Sequence, residues 1–326
     1  MAQLAELHER VRSPVIPMIT RRGVIALAGQ NLFAKAAQPR TAPSFEVPAH
    51  ACDCHTHLFG DAQRFPLIAT RGYTPEPTDP SEMAALHRAL HVERVVIVTP
   101  SVYGTDNSAT LFGMKARGKS ARGVAVIDEK TTDTEIKSMH KAGIRGVRIN
   151  LGNAPTSDVS AARDRFARTA NRVNKLGWHV QLFAGCSVVA AIRAEIEKSP
   201  VPVVLDHFGG AKIVQGLDQP GFAAVLDLVR SGKVYVKLSL SGTTLELRPA
   251  PKYELVIPLA KALISANADR MLWGTDWPHP EAKPAGESPF NQVDDGLVLN
   301  QLPLWAPDAI IRKKILTDNA ARLYGF

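Results

Sequence analysis

Eight short apolar segments, each about as long as a β-strand, recur between residues 50 and 276. They are rich in β-branched residues and almost continuously hydrophobic, which is typical of parallel strands covered on both faces. The segments lie at residues 50–58, 94–101, 123–128, 146–151, 179–184, 201–208, 234–241 and 270–276. Eight strands joined by connections long enough for helices most simply form a closed (β/α)8 barrel.

Helical patterns occupy several of the connections between these segments. The clearest begins at Thr132-Asp133 and ends at Gly143, which are typical helix start and stop signals. The others lie at residues 161–177, 187–199, 221–232 and 253–268. A doubly wound open sheet is the alternative, but it usually carries a G-x-G-x-x-G turn after its first strand, and none follows here. We therefore predict one α/β domain, a (β/α)8 TIM barrel, over residues 49–326.

Residues 1–48 precede the strand pattern and are predicted to form an N-terminal extension. Arg21-Arg22, a mildly apolar run at 23–33 and the small-x-small sequence Ala34-Lys35-Ala36 together resemble a twin-arginine export signal. The Pro-containing stretch 37–48 then indicates a linker. If the signal is functional, the protein is periplasmic; the alternative is an extension without a targeting role and a cytoplasmic protein.

The charge distribution argues against a nucleic-acid partner. The formal net charge is +8, and half of it falls in residues 1–44. The remainder is spread without a run of Lys or Arg, whereas a nucleic-acid surface needs a clustered basic stripe. No apolar run reaches the ~20 residues that a membrane-spanning helix requires. The sequence thus predicts no nucleic-acid or membrane partner and is compatible with an anionic small molecule.

Histidine and aspartate residues close three of the eight segments, at the strand ends where such barrels carry their catalytic groups. His55 and His57 close the first segment, His207 the sixth and Asp276 the eighth. Because alternate strand residues share a face, His55 and His57 point the same way. Three imidazoles and a carboxylate with open positions are typical of a catalytic zinc-type site, so we predict a divalent metal, zinc or manganese, with metal-free substrate binding as the alternative. His279 follows closely and is predicted to be catalytic, as a proton shuttle or a substrate contact.

A second group of polar residues follows other strands and is predicted to bind the substrate. Arginine and lysine directed into a barrel mouth are suited to carboxylate or sulfonate groups. The alternative for these two cations is pairing with a barrel carboxylate such as Asp128. The group consists of Ser101, Tyr103, Asp106, Arg148, Gln181 and Lys237.

The cysteines close to the His-x-His pair do not form a recognisable metal motif. Cys52 and Cys54 lack the spacing of a zinc ribbon, and three cysteines in the whole chain make no disulfide framework. Strict alternation places Cys54 on the face opposite His55. We therefore predict that both cysteines pack against neighbouring elements as small apolar residues.

Several motifs, in the same order, resemble the branch of the amidohydrolase superfamily that contains 2-pyrone-4,6-dicarboxylate lactonases and sulfomuconolactone hydrolases. They run from Cys52 to Phe326 and read CDCHTHLFG, YGTDNSATL, RGVAVID, RGVRINL, VVLDHFGG, WGTDWPHP and TDNAARLYGF. The resemblance implies a (β/α)8 barrel with its site at the C-terminal mouth. It also implies metal- or substrate-facing roles for His55, His57 and His207, and the role of general base for Asp276.

Two positions depart from the dicarboxylate lactonase pattern. Phe183 stands where that pattern has a tyrosine, and Gly210 stands where it has an arginine. Loss of an arginine weakens bidentate recognition of a carboxylate. The resemblance therefore favours a related anionic lactone, of the muconolactone or pyrone type, over pyrone dicarboxylate itself.

We predict a lactone hydrolase of aromatic-compound catabolism, in which Asp276 deprotonates water and then protonates the departing ring oxygen. No G-x-S-x-G nucleophile motif occurs, and a divalent cation can activate water without one. The alternatives are a sugar-lactone isomerase, a metal-dependent decarboxylase of the same superfamily, and a barrel that only binds its ligand. A homo-oligomer is compatible with the sequence, which does not define the oligomeric state.

Overall fold

The computed structural model describes residues 36–151, 159–240, 253–281 and 287–326, all of them within one compact unit that spans Ala34–Phe326. The predicted Arg21-Arg22 signal lies outside the described residues. None of the described helices is both long enough and apolar enough to cross a membrane.

Eight parallel strands form one sheet in which each strand pairs with the next along the chain. Each predicted segment contains one of these strands, so the predicted (β/α)8 architecture is confirmed. The strands are β1 Cys52–Thr56, β2 Arg94–Val98, β3 Ala121–Ala125, β4 Ile144–Asn150, β5 His179–Phe183, β6 Val203–Leu205, β7 Val234–Leu238 and β8 Met271–Trp273. Two further strands of two residues, Thr74–Pro75 and Glu287–Ser288, pair with each other outside the barrel.

Helices occupy the connections between the strands and the segment that follows β8. They span Pro80–Ala89, Ser108–Arg117, Asp133–Ala142, Val159–Val173, Cys186–Ala191, Arg193–Glu197, Phe222–Arg230, Ile257–Asn267, Asp295–Leu299, Leu302–Trp305, Ala309–Lys313 and Asn319–Tyr324. The helix predicted from Thr132 begins there with a capping box, because the Thr132 side chain accepts from the Glu135 amide and Glu135 bonds back to Thr132. It ends at Gly143, which adopts the left-handed conformation that glycine tolerates best. The single helix predicted at 187–199 is instead two helices, since Ile192 leaves helical geometry at φ −107° and ψ 19°.

The first and last strands close the barrel largely through side-chain and loop contacts. The Asp53 carboxylate accepts hydrogen bonds from the backbone amides of His55 and Thr275, from the Thr275 hydroxyl and from His87 Nε2. The backbone amide of Asp276 donates to the His55 carbonyl at 2.8 Å, and that of His57 donates to the Trp277 carbonyl at 2.8 Å. Asp53 and these bonds therefore fix the end of β1 against the segment after β8, where the predicted site residues lie.

An irregularity in β1 changes the direction of its side chains. The pairing register between β1 and β2 shifts between Asp53 and Thr56, as at a β-bulge. Cys52 and Cys54 consequently lie in the barrel interior, in a buried cluster with inward residues of the neighbouring strands, and His55 also points inward. The prediction that Cys54 faces away from His55 was wrong, because it assumed strict alternation across a bulge. The prediction that both cysteines are buried packing residues is confirmed.

The lower end of the barrel interior is apolar and is closed by the C-terminal segment. Tyr324 is fully buried there and packs edge-on against His179 at 5.2 Å between ring centroids. Arg122 donates to the carbonyls of Tyr324 and Gly325 and lies over the Phe326 ring. The cluster comprises Cys52, Cys54, Val96, Val98, Val124, Val204, Tyr235, Leu272, Ala320 and Tyr324.

Residues 36–48, which include the stretch assigned to a linker, lie along this same unit and are called the N-terminal strap below. The Ala37 carbonyl accepts a hydrogen bond from Trp277 Nε1 at 3.4 Å. The amide of Ser44 donates to Asn300 Oδ1 at 2.7 Å, and Asn300 Nδ2 donates to the Ala42 carbonyl at 2.9 Å. Where the extension ends and the barrel domain begins stays a prediction.

Candidate active site

Three imidazoles converge on one carboxylate oxygen at the C-terminal mouth of the barrel. Asp276 Oδ1 lies 3.4 Å from His57 Nε2, 3.5 Å from His55 Nε2 and 3.9 Å from His207 Nε2. All four residues are at most 7% exposed. The predicted grouping of residues that are up to 221 positions apart in sequence thus occurs in the fold.

The backbone at two of these residues is constrained. Asp276 has a φ of +68° and His207 a φ of +46°, a region that residues other than glycine seldom adopt. Such strain persists only where surrounding contacts enforce it, and it concentrates at functional sites. At Gly274, just before this turn, a Cβ atom would lie 2.8 Å from the Cβ of His55, so the close approach of β8 to β1 requires glycine.

The outer ring nitrogens of the histidines are held by the barrel. His57 Nδ1 donates to the Val98 carbonyl at 2.8 Å, and His207 Nδ1 lies 2.9 Å from the Ser239 hydroxyl. Because Nδ1 of His57 donates this bond, Nε2 is the ring nitrogen that faces the carboxylate of Asp276. That arrangement is favourable only with a cation or an additional proton between the two groups.

The electrostatics keep Asp276 ionised. Burial alone would raise the pKa of Asp276, but His207, His57 and His55 outweigh it and hold the pKa well below the usual range. Burial lowers the pKa of His207, although Asp276 and Asp206 oppose this. Burial, followed by Lys237, lowers the pKa of His55 strongly. An ionised carboxylate beside imidazole nitrogens is the state that a base or a metal ligand needs.

The donor set fits a divalent metal ion. One ligand atom each from His55, His207 and Asp276 lie within 4.8 Å of one another, and all three residues are buried. His55 Nε2 makes no hydrogen bond with any of the described residues. Nitrogen and carboxylate ligands in this number are typical of catalytic zinc sites with an open position. His57, predicted as a fourth ligand, contacts Asp276 but lies outside this three-residue group.

Asp206 connects three of the predicted residues and was not assigned a role from the sequence. Its carboxylate accepts from Arg148 Nε at 3.0 Å and lies 3.3 Å from His55 Nδ1 and 3.7 Å from Lys237 Nζ. Burial would raise its pKa, but Arg148, His55 and Lys237 hold it well below the usual range. Arg148 and Lys237 therefore pair with a barrel carboxylate, as the alternative prediction had it, but the carboxylate is that of Asp206. Asp128 is exposed and accepts a hydrogen bond from the Thr131 hydroxyl within its own loop. The only signal in the sequence was its position next to His207.

Lys237 and Gln181 lie beneath the histidines and do not line the open mouth. Both are fully buried, and Lys237 Nζ donates to Gln181 Oε1 at 2.7 Å. The same ammonium lies 3.3 Å from His55 Nδ1. Burial lowers the pKa of Lys237 to about 8, although Asp206 opposes this. The structure thus places these two predicted substrate-binding residues against His55.

Of the remaining predicted substrate-binding residues, Arg148 and Ser101 lie near the mouth. Besides its bond to Asp206, the Arg148 guanidinium packs over the Phe183 ring at 5.0 Å. Ser101 is exposed and its side chain lies beside that of Tyr73, which is also close to Arg148 and Asp276. Tyr73 was not predicted, because it comes from the loop after β1, whose sequence carries no strand or motif signal.

Tyr103 and Asp106 have structural partners instead. Tyr103 is 1% exposed, and its hydroxyl accepts a hydrogen bond from the Gly60 amide at 2.9 Å. Asp106 is exposed, and its carboxylate accepts from the Ser108 amide at the start of a helix. The structure therefore gives neither residue a contact with the Asp276 group.

His279, predicted to be catalytic, lies next to the Asp276 group, but its side chain is bound by Asp295. Its amide donates to the Asp276 carbonyl at 3.2 Å, while its Nε2 lies 3.0 Å and 3.2 Å from the two carboxylate oxygens of Asp295. Burial lowers the pKa of His279, but Asp295 outweighs it and the pKa is raised. Its Nδ1 is buried and has no hydrogen-bond partner within the described part of the chain. Asp295 lies outside all the sequence motifs that carry the family resemblance.

Comparisons with known proteins agree with the fold. The family model described as Amidohydrolase matches residues 52–326. The 2-pyrone-4,6-dicarboxylate hydrolase of Comamonas testosteroni is 35% identical over 289 residues, which cover 86% of this chain and 92% of that protein. The 4-sulfomuconolactone hydrolase of Hydrogenophaga intermedia is 33% identical, with 86% and 90% covered.

The fold is also similar to a solved structure from Pseudomonas putida. The two chains superpose with a TM-score of 0.71 at 27% identity, covering 86% of this chain and 98% of the other. The region that the family model matches, residues 52–326, contains every strand of the barrel and the residues that surround Asp276. The chain belongs to the amidohydrolase family.

Proposed function

We propose that this protein is a lactone hydrolase that opens a small lactone bearing a carboxylate or sulfonate group, as part of aromatic-compound catabolism. The observation that carries the proposal is the convergence of three imidazole Nε2 atoms on Asp276 Oδ1 at 3.4–3.9 Å. The names of the two lactone hydrolases that are 35% and 33% identical support the substrate class.

Asp276 is the general base of the proposed reaction. Its depressed pKa keeps it ionised at neutral pH, so it can accept a proton from water. The hydroxide equivalent then attacks the lactone carbonyl, and the acyl–oxygen bond breaks. The protonated Asp276 returns its proton to the departing ring oxygen, which completes the opening of the ring and restores the base.

We further propose that His55, His207 and Asp276 hold a divalent ion, zinc or manganese. Such an ion supplies Lewis-acid polarisation of a carbonyl oxygen and lowers the pKa of water. Asp206, beside His55 Nδ1, orients this ring so that Nε2 faces Asp276, as carboxylates beside metal-binding histidines commonly do. His57, held by the Val98 carbonyl, orients Asp276 from the other side.

Arg148 is the proposed binding group for the anionic substituent. Asp206 fixes its Nε, so the terminal nitrogens remain for a carboxylate or sulfonate. Tyr73 and Ser101 add hydroxyl groups on the same side. At Gly210 a Cβ atom would lie 1.8 Å from the Ala184 carbonyl oxygen, so this backbone accepts no side chain there. The missing arginine at that position favours a muconolactone-type substrate over pyrone dicarboxylate.

The product mass tests the reaction type. Purified protein is incubated with 4-sulfomuconolactone and with 2-pyrone-4,6-dicarboxylate, and the products are analysed by mass spectrometry. Hydrolysis adds the mass of one water molecule. A product of unchanged mass would identify a lactone isomerase, and loss of carbon dioxide would identify a decarboxylase; either result would contradict the proposal.

Export by the Arg21-Arg22 segment is a separate proposal that rests on the sequence alone. A fusion of residues 18–48 to a reporter tests it. Export of the reporter that depends on both arginines supports a periplasmic protein. Retention of the reporter supports a cytoplasmic one.

A further inference from the structure

The N-terminal strap is bound directly beside the segment that holds His279. The Asp294 carboxylate accepts hydrogen bonds from the backbone amides of Arg40 and Thr41, at 3.1 and 3.3 Å, and from the Thr41 hydroxyl at 2.8 Å. It also accepts from the Gly296 amide at 3.1 Å, where it caps the helix Asp295–Leu299. One buried carboxylate therefore joins the strap to the start of this helix.

The strap also lies in close contact with the helix backbone. A Cβ atom at Gly296 would lie 1.8 Å from the carbonyl oxygen of Thr41, so only glycine allows this approach. A second contact is formed by Trp277, whose Nε1 donates to the Ala37 carbonyl. The strap thus contacts Trp277, the residue after Asp276, and Gly296, the residue after Asp295.

The residue next to Asp294 is Asp295, the carboxylate that holds His279 Nε2. Asp295 and His279 are at most 3% exposed, so bulk water cannot replace the hydrogen bond between them. Because Asp294 and Asp295 are consecutive residues, we expect a shift of Asp294 to displace the Asp295 carboxylate as well. The His279 ring would then rotate or lose its hydrogen bond to Asp295.

We propose that the strap positions His279, through Asp294 and Asp295, and with it the Asp276 turn, because the His279 amide donates to the Asp276 carbonyl. Thr41 and Asp294 are positioning residues in this scheme and do not touch the substrate. The proposal rests on the proposed function only for its effect on turnover. The link between the strap and the His279 ring itself is independent of the reaction.

The test uses paired substitutions in the full-length protein. Thr41→Val keeps the shape of the side chain but removes the hydroxyl that bonds Asp294, whereas Thr41→Ser retains it. Asn300→Ala is the matched control, because Asn300 anchors the strap at Ala42 and Ser44 but has no bond to Asp294 or Asp295. We expect Thr41→Val to lower kcat roughly tenfold with KM within about twofold, since small misplacements of catalytic groups are costly. Thr41→Ser and Asn300→Ala retain wild-type kcat.

A double-mutant cycle shows whether the effect passes through His279. In a His279→Gln background we expect Thr41→Val to cause no further loss of kcat, because coupled residues are not additive. An equal loss in both backgrounds would overturn the proposal, as would wild-type kcat in Thr41→Val.

A second readout does not depend on activity. The Nε2–H proton resonance of His279, assigned by its absence in His279→Gln, should shift in Thr41→Val and stay in place in Asn300→Ala. An unshifted resonance overturns the positioning proposal even if lactones are hydrolysed. A shifted resonance in a protein that opens no lactone supports the strap link and overturns the proposed function instead.

Discussion

At the lower end of the barrel the inward-pointing residues are Cys52, Val96, Val204, Tyr235 and Leu272, and the C-terminal Tyr324 closes them off. At the upper end the same strands present histidine, aspartate, arginine and lysine. Both ends are equally buried, yet one is nearly free of charge and the other carries two carboxylates and two cations. Burial of charge is costly unless each group has a partner. We infer that the lower end stabilises the barrel, whereas the buried charges of the upper end serve the reaction.

The largest expected difference between the two ends is in activity. Asp276→Asn removes the proposed base, and we expect kcat for lactone opening to fall by roughly 10³-fold, within the range for general acid–base catalysis. The free energy of unfolding should also fall, because the depressed pKa of Asp276 means that the folded protein stabilises its ionised form. Asp61→Asn, at an exposed turn after β1, is the control and should keep wild-type kcat. Near-normal turnover in Asp276→Asn would reject the mechanism.

Substitution of Asp206 tests whether the buried charges of the upper end depend on one another. Asp206→Asn leaves Arg148 and Lys237 without their buried counter-charge, which we expect to destabilise the protein by about 3–5 kcal/mol. KM for an anionic lactone should rise as well, because Arg148 loses its orienting bond. Urea unfolding and steady-state kinetics measure the two effects. If Asp206→Asn matched exposed Asp128→Asn in both, the network would be disproved.

Substitutions at the lower end should reduce stability and leave activity unchanged. Tyr324→Ala empties part of a fully buried cluster, and we expect a loss of about 3–5 kcal/mol in the free energy of unfolding. At temperatures where the variant remains folded, kcat and KM should match the wild type. Truncation of the half-buried Phe326 to Ala should cost less. A specific loss of kcat in folded Tyr324→Ala would show that the two ends are not separable.

A smaller effect concerns acid stability at the lower end. Burial lowers the pKa of His179 to about 3, whereas an unfolded histidine titrates near ~6.5. Between these values only the unfolded chain takes up this proton, so stability falls as the pH falls, by at most about 1.4 kcal/mol per pH unit. His179→Leu should reduce the slope below pH 6.5, while exposed His91→Asn should not. An unchanged slope in His179→Leu would contradict the assignment.

The site residues that were correctly predicted to lie together are all at the ends of strands, which local sequence patterns are enough to locate. A strand count and the position of strand ends suffice to bring His55, His57, His207 and Asp276 together. The direction of Cys54 was missed because a bulge depends on how β1 pairs with β2, and no local pattern in the chain reveals it.

The residues that were missed act across the fold. Asp206 pairs with Arg148 and Lys237, which lie on other strands, 58 residues before it and 31 residues after it in the sequence. Its role therefore becomes visible only in the folded barrel. Tyr73 and Asp295 come from long connections, where periodicity carries no information. Tyr103 and Asp106 were assigned to the substrate because they follow a strand end, but each bonds a nearby backbone amide instead.

The central claim is that Asp276 acts as a base on water and not as a nucleophile. A single turnover in ¹⁸O-labelled water, with enzyme in excess over lactone, distinguishes these roles. Mass spectrometry should find one ¹⁸O atom in the new carboxylate of the product and none in the peptide that contains Asp276. Unlabelled product together with ¹⁸O in Asp276 would show direct attack by the carboxylate and would contradict the account.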